Sequence, residues 1–158
     1  MITNEYSDKW INRFFFLARL AGSWSKDPST KVGAVLVDEK KIVCGIGYNG
    51  FPRGVDDNQE MYEDRELKYK MIVHAEMNAI LNASKSVEGS ALFLWPFMSC
   101  SRCACSVIQA GISSVYYPVH QPGSEFRAVQ DRWKEDNELA VSMFIQAGVK
   151  IHRKSWYE

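Results

Sequence analysis

The sequence has no excess of charge of either sign: 19 Lys and Arg stand against 19 Asp and Glu, for a formal net charge of zero. Tight binding to duplex nucleic acid draws on a surplus of basic side chains, so a nucleic-acid partner is not expected. Long apolar runs are also missing. The longest fall well short of the roughly 20 residues that cross a bilayer, and the opening MITNEYSDKW lacks a basic-then-apolar leader pattern. The expectation is a cytoplasmic protein with no membrane partner. Cysteine is scarce: Cys44, Cys100, Cys103 and Cys105 are the whole set, and three of the four fall within six residues. Bridges between such close neighbours would remove little chain entropy, which argues against a disulfide framework. In a reducing compartment, clustered thiols point instead to metal or redox chemistry. Repeats, low-complexity tracts and Gly/Ser linkers are absent. What is there, 158 residues with 46% hydrophobic and 24% charged, reads as one domain over 1–158, long enough to bury a core without staples.

Residues 8–22 carry Trp10, Ile11, Phe14, Leu17, Ala18 and Ala21 at helical spacing, with Ser7 as N-cap and Gly22 as stop. Ser23–Lys31, holding Pro28, reads as a loop. Val32–Val37 and Ile42–Gly47 are strands joined by a turn at Asp38–Lys41. Tyr48–Asp57 is a structured loop rich in Gly, Pro and Asn, and the charged stretch 58–72 is partly helical. His74–Ala83 is a helix, Ala91–Trp95 a buried strand, Ser101–Ala110 a helix ended by Gly111, and Ser114–Val119 a strand. Residues 125–147 are helical with a break near Lys134–Asn137; Gly148 ends that helix and Val149–His152 is the last strand. The order αββαβαβαβ implies an α/β fold, a mixed sheet with helices on both faces.

Two short segments carry chemistry: His74-Ala75-Glu76 and Cys100-Ser101-Arg102-Cys103. Each opens a helix. Two cysteines three apart at a helix start face the same way, and the positive end of the helix dipole favours their thiolates. A zinc ion would take both sulfurs and the His74 imidazole, leaving a fourth tetrahedral position for water, as in catalytic rather than structural sites. Glu76, two residues past His74, is too close for easy joint ligation but well placed to take a proton from that water and deliver it to a leaving amine. Two other readings stand beside this one. Cys100 and Cys103 can form a redox pair, or Cys105 or His120 can close a structural zinc site. On a helix Cys105 points away from Cys103, and Cys105 and Cys44 read as small buried apolar residues.

The pattern is close to the H-x-E…P-C-x-x-C signature of zinc nucleobase deaminases, with Ser99 standing where the signature has Pro. With SKDPSTKVGAVLV at 25–37, GYNGFPRG at 47–54, LKYKMIVHAEMNAI at 67–80 and CSRCACSVIQAGI at 100–112, the chain resembles the deoxycytidylate (dCMP) deaminases of the cytidine deaminase superfamily over much of residues 10–117. The C-terminal quarter matches only in its helix-then-strand plan. The resemblance implies a cytidine-deaminase-like three-layer fold around a five-stranded mixed sheet, with the zinc helices on one side. It implies hydrolysis of dCMP to dUMP and ammonia, supplying dUMP for thymidylate synthesis. Other cytosine substrates (CMP, deoxycytidine, dCTP or a 5-substituted dCMP) and a zinc-stabilised nucleotide-binding module are the competing readings.

Carried over residue by residue, His74, Cys100 and Cys103 match the zinc ligands and Glu76 the proton shuttle. Asn49 matches the residue that meets the deoxyribose, and the Ala75 N–H would reach the base carbonyl. Ser25 and Lys26 fall where the 5′-phosphate is held; Thr30 lines the sugar side; His120 stacks on the base or caps the pocket. Trp95-Pro96-Phe97-Met98 reads mainly as core, its end forming a wall beside the exocyclic amine. Many members are hexamers controlled by dCTP and dTTP. The resemblance therefore implies a homo-oligomer, a regulatory triphosphate bound with Mg²⁺, and Asn49 and Arg53 in the loop where that regulation is expected.

Overall fold

The apolar residues spaced three and four apart between Ile11 and Ala21 form one face of α1 (Asp8–Ser23) and lie buried against the sheet in the computed structural model, which describes residues 5–156. Residues 1–4, part of the opening stretch read for a leader pattern, lie outside the described residues. Ser7 is the N-cap, as its position suggests, although its side chain makes no capping hydrogen bond, and the helix runs one residue past Gly22.

Two strands follow, β1 (Gly33–Val37) and β2 (Val43–Tyr48), each starting one residue later than the apolar pattern predicts. The charged stretch 58–72 resolves into two short helices, α2 (Gln59–Glu63) and α3 (Arg65–Met71). Each is started by a side-chain cap: Asn58 accepts from the Met61 N–H and Asp64 from the Leu67 N–H. Then come α4 (Ala75–Leu81), β3 (Ala91–Trp95), α5 (Ser101–Gln109) and β4 (Ser114–Val119). The helical stretch after residue 125 is broken, as expected, but at Trp133, giving α6 (Glu125–Arg132) and α7 (Lys134–Gln146). The last strand, β5 (Lys150–Ser155), runs three residues further than the sequence suggests. Its tail, Arg153-Lys154-Ser155, is too polar to read as a strand, yet an edge strand carries such residues readily.

The five strands form one mixed sheet in the order β2-β1-β3-β4-β5. β1 is antiparallel to both β2 and β3, while β3, β4 and β5 are parallel. The two central strands, β1 and β3, are buried at every position, which a sheet covered on both faces requires. Alternation along each strand then feeds two cores. Val35, Phe93 and Tyr116 meet Phe14 and Phe15 of α1 on one face. Leu36, Leu94 and Tyr117 meet Ala75 and Ala79 of α4, Ala104 and Val107 of α5 and Phe144 of α7 on the other. The helices expected to carry the metal ligands therefore share a face, and this is the α/β layering that the resemblance implies.

The packing of α4 on β2 is unusually close, and glycine permits it. A Cβ at Gly47 would sit 2.3 Å from both the Ala75 carbonyl and the Ala79 nitrogen, and one at Gly45 would sit 2.4 Å from the Ala79 carbonyl. Those are backbone atoms, so the helix would have to move. Asn78 of α4 and Asn82, the C-cap of that helix, donate to the Tyr48 and Ile46 carbonyls, which covers part of the outer edge of β2. Gly47→Ala is therefore expected to destabilise the protein by about 1–3 kcal/mol through overpacking and to shift α4. Urea unfolding together with amide shifts of residues 74–81 would measure both; an unchanged midpoint would contradict this account of the close approach.

Candidate metal centre and active site

The sheet register gathers the loops at one end of the molecule. Trp95, the last residue of β3, pairs with Gly33, the first of β1, and Gly33 pairs with Tyr48, the last of β2. The loop before β1, the loop after β2 and the segment leading to α5 thus meet at the carboxyl ends of the parallel strands, where open α/β sheets bind ligands. The start of α4 is fastened to the same end: the Gly50 and Val73 backbones exchange hydrogen bonds of 3.1 and 2.8 Å immediately before His74. His74 is the N-cap of α4 and Cys100 the N-cap of α5.

These two helix starts bring three metal-ligating atoms together. His74 Nδ1 lies 3.2 Å from Cys103 Sγ and 3.5 Å from Cys100 Sγ, and all three atoms fall within 4.8 Å of one another. A tetrahedral ion with ordinary zinc–nitrogen and zinc–sulfur bonds separates such donors by about 3.6 Å, so the residues present fit that metal. His74 is exposed, Cys100 half-buried and Cys103 buried, which leaves the cluster open on the histidine side. Neither proposed fourth ligand joins it. Cys105 is exposed on α5, correcting its reading as a buried apolar residue; Cys44 is buried as expected. His120 is buried with Nε2 2.6 Å from the Pro96 carbonyl, its ring packed on Trp95 and Phe126.

The electrostatics suit a cation. The side-chain contact with Cys103, and after it the one with His74, draws Cys100 well below the ordinary thiol range. The same contact, with burial, holds Cys103 above it. His74 is raised, chiefly by its hydrogen bond to Cys100. Glu76 is 5% exposed and its carboxyl is pushed up by that burial, with the nearby His74 opposing the shift. Beside it lies Ser99, fully buried, at the position where the deaminase signature has proline. Its hydroxyl favours the ionised carboxyl but makes no hydrogen bond of good geometry.

The structure gives the remaining candidates more structural work than the sequence suggested. The Ser25 hydroxyl turns inward and donates to the Asn49 carbonyl at 2.8 Å, away from solvent. Lys26 is exposed and paired with Asp57 at 2.8 Å. Asn49 is buried with both ends of its amide engaged: Oδ1 accepts from the Val32 N–H at 2.9 Å, and Nδ2 donates to the Thr30 carbonyl at 2.9 Å. Asn49 therefore shapes the loop that carries Thr30. Arg53 is exposed and donates to the side chain of Asn82, the C-cap of α4. Trp95 and Met98 are core residues, in opposite cores, as the reading of that segment anticipates.

The sequence reading missed a pair beneath this loop. Asp27 is buried and accepts from the Ser29 N–H at 2.8 Å and from the Asn49 amide at 3.4 Å; its charged partner is Lys68 of α3, 3.3 Å away and itself almost buried. Both lie within stretches that drew notice, but only folding makes them neighbours, so one sequence offers no signal for the pair. At the same end of the sheet a cavity of about 350 Å³ is lined by Ser29, Thr30, Lys31, Arg19, Trp95 and Phe126.

Comparison with known proteins agrees with this geometry. The profile described as "Cytidine and deoxycytidylate deaminase zinc-binding region" matches residues 8–119. An "Uncharacterized deaminase in luxG 3'region" from Aliivibrio fischeri is 46% identical over 143 residues, covering 90% of this chain and 92% of that one. The deoxycytidylate deaminase of Homo sapiens is 33% identical over 153 residues, covering 92% of this chain and 79% of its own. Among solved structures, the dCMP deaminase of the cyanophage S-TIM5 in apo form superposes with a TM-score of 0.69 at 24% identity, covering 94% of this chain and 99% of that one. That likeness establishes the shared fold.

Purified protein is expected to hold one zinc per chain, and Cys100→Ala or Cys103→Ala to hold almost none; elemental analysis after gel filtration measures this. Lys68→Met, which leaves Asp27 buried without its charged partner, is expected to destabilise the protein by about 1–3 kcal/mol, read from urea unfolding.

Proposed function

The chain belongs to the cytidine and deoxycytidylate deaminase zinc-binding family, and from that premise we propose that it is a single-domain hydrolase removing the 4-amino group of dCMP to give dUMP and ammonia. The observation that carries the reading is the convergence of His74, Cys100 and Cys103 on one point that stays open, with the buried Glu76 carboxyl beside it. In this reading those three residues hold the zinc ion. When bound, zinc supplies Lewis acidity that brings a water's pKa close to neutrality.

The chain's own groups do the rest. Glu76, ionised at the outset, takes one proton from the water and gives it to N3 of the cytosine ring as the oxygen adds to C4. It then takes the second proton from the new C4 hydroxyl and gives it to the exocyclic nitrogen, so the C4–N bond breaks, the C4 carbonyl forms, ammonia departs and the carboxylate is restored. One carboxyl serves as acid and base in turn, which favours a pKa near the working pH, and burial moves Glu76 in that direction. The Ala75 N–H is among the first of α4, which have no partner inside the helix, and His74 leaves them uncapped by its side chain. We assign it to the base carbonyl. The buried Ser99 hydroxyl, without a good hydrogen bond of its own, is suited to meet the amino end of the base.

The sugar and phosphate of the nucleotide run toward Thr30. Ser29 and Lys31 line the same cavity, and a lysine beside a hydroxyl is apt for a phosphate dianion. Lys26 would reach the phosphate only by leaving Asp57. Ser25 and Asn49 contribute by fixing the loop, and His120 by bracing the Pro96 backbone. Human and Aliivibrio relatives of this similarity are named deaminases, and the human one a deoxycytidylate deaminase, which supports the dCMP reading over the other cytosine substrates.

Ammonia release measured in parallel from dCMP, CMP, deoxycytidine, dCTP, 5-substituted dCMP and guanine tests the substrate. The highest kcat/KM is expected for dCMP, and preference for another substrate would replace that part of the proposal. Running the dCMP arm with dCTP or dTTP and Mg²⁺ examines regulation through the Arg53 loop and a hexameric assembly. Glu76→Gln is expected to retain stoichiometric zinc while losing at least about 10²- to 10⁴-fold in kcat. Turnover near that of the parent would remove Glu76 from the mechanism.

A further inference from the structure

The helix that presents both cysteines is gripped at its first residue by a side chain from far along the chain. Asp136, in the first turn of α7, accepts the Ser101 backbone N–H through Oδ2 at 2.9 Å and the Ser101 hydroxyl through Oδ1 at 2.6 Å, across 35 positions. Ser101 directly follows Cys100 and opens α5. The first N–H groups of a helix lack partners within it. Here the Ser101 N–H goes to Asp136, and the Cys103 N–H goes to the Cys100 sulfur at 3.4 Å. One prospective zinc ligand and one remote carboxylate thus settle the start of the helix between them. The grip has rigid backing, because Ala140 and Phe144 of α7 and Ala104 and Val107 of α5 belong to the same fully buried core. Asp136 lies beyond residues 8–119, the part of the chain that the family profile matches.

We propose that Asp136 is a positioning residue for the metal centre. Its two-oxygen hold on Ser101 fixes the backbone at Cys100, and with it the direction in which the Cys100 sulfur meets His74 and Cys103. The carboxylate also places negative charge at a helix N-terminus, where it is favoured, so its removal both frees the helix start and leaves the Ser101 N–H without a partner. Groups that orient metal ligands typically contribute 10- to 100-fold in metal affinity. The proposal rests on the reading of His74, Cys100 and Cys103 as zinc ligands.

The test is zinc affinity of the full chain, by competition with a chromophoric chelator, for the parent, Asp136→Ala, Asp136→Asn and Ser101→Ala, with Cys100→Ala as the ligand control. Asp136→Ala is expected to weaken zinc binding about 10- to 100-fold while remaining folded by circular dichroism, and to shift the thiolate-to-metal absorption of the cobalt(II)-substituted protein. Asp136→Asn, which keeps an acceptor for the Ser101 N–H, is expected to recover most of the affinity. Ser101→Ala, which removes only the hydroxyl contact, is expected to show a smaller loss. Should Asp136→Ala fail to fold, Ser101→Ala carries the test. Parent-like affinity and cobalt spectra in folded Asp136→Ala, or in Ser101→Ala where that variant does not fold, would overturn the proposal with the ligand set intact. Parent and Cys100→Ala binding zinc alike would instead overturn the ligand assignment itself, and this proposal with it.

Discussion

Two helix starts held against each other are the constraint on which the molecule's chemistry depends. His74 and Cys100 are the N-caps of α4 and α5, and Cys103 lies in the first turn of α5. The His74 imidazole would not approach the two cysteines in a free chain, and three soft donors within 4.8 Å exist only because both helices start at the same end of the same sheet. Every layer of the structure serves that meeting. Small residues, Ala75 and Ala79 on α4 and Gly45 and Gly47 on β2, let α4 lie almost on the sheet backbone. The Gly50–Val73 exchange stops α4 from sliding along it. On the far side, Asp136 and the α5–α7 core hold the second helix start.

Such a site is built against local stability. It places an acid with a raised pKa and a half-open pair of cysteines next to a fully buried serine whose hydroxyl lacks a good partner. Buried polar groups left unmatched are costly, so the stability must come from elsewhere. Here it comes from two apolar layers on opposite faces of the sheet, each with several completely buried aromatic or aliphatic side chains. The face carrying α1 holds no part of the metal cluster. It is dense with aromatic contacts, Phe93 lying against Phe14, Phe15 and Tyr116. The metal cluster belongs to the other face, with α4 and α5.

Much of this was legible in the sequence because the decisive signals are short-range. His-x-Glu and Cys-x-x-Cys each fall within one helical turn, so spacing alone says which atoms share a side. The apolar runs of β1 and β3 declare buried strands, and the break expected near Lys134–Asn137 lies close to the one at Trp133. What was not legible depends on distance along the chain. Asp27 with Lys68 and Ser101 with Asp136 are separated by 41 and 35 positions, and nothing in the local pattern marks either acid as a partner. The same limit explains Ser25 and Asn49. The resemblance implied substrate contact for both, and local pattern could not show that they also tie two loops together: the Ser25 hydroxyl donates to the Asn49 carbonyl and the Asn49 amide to the Thr30 carbonyl. Cys105 erred the other way: a cysteine is usually buried, but the side of α5 that it occupies faces solvent.

The coordination sphere itself is the most direct test of the whole account. X-ray absorption at the zinc edge of the purified protein would count the donors. The structure predicts two sulfurs at about 2.3 Å and two lighter atoms at about 2.0 Å, only one of which shows the scattering pattern of an imidazole. A sphere with three or more sulfurs, or with two imidazoles, would mean that the protein closes the site around its metal, and the reading of this edge of the sheet as a catalytic centre would be wrong.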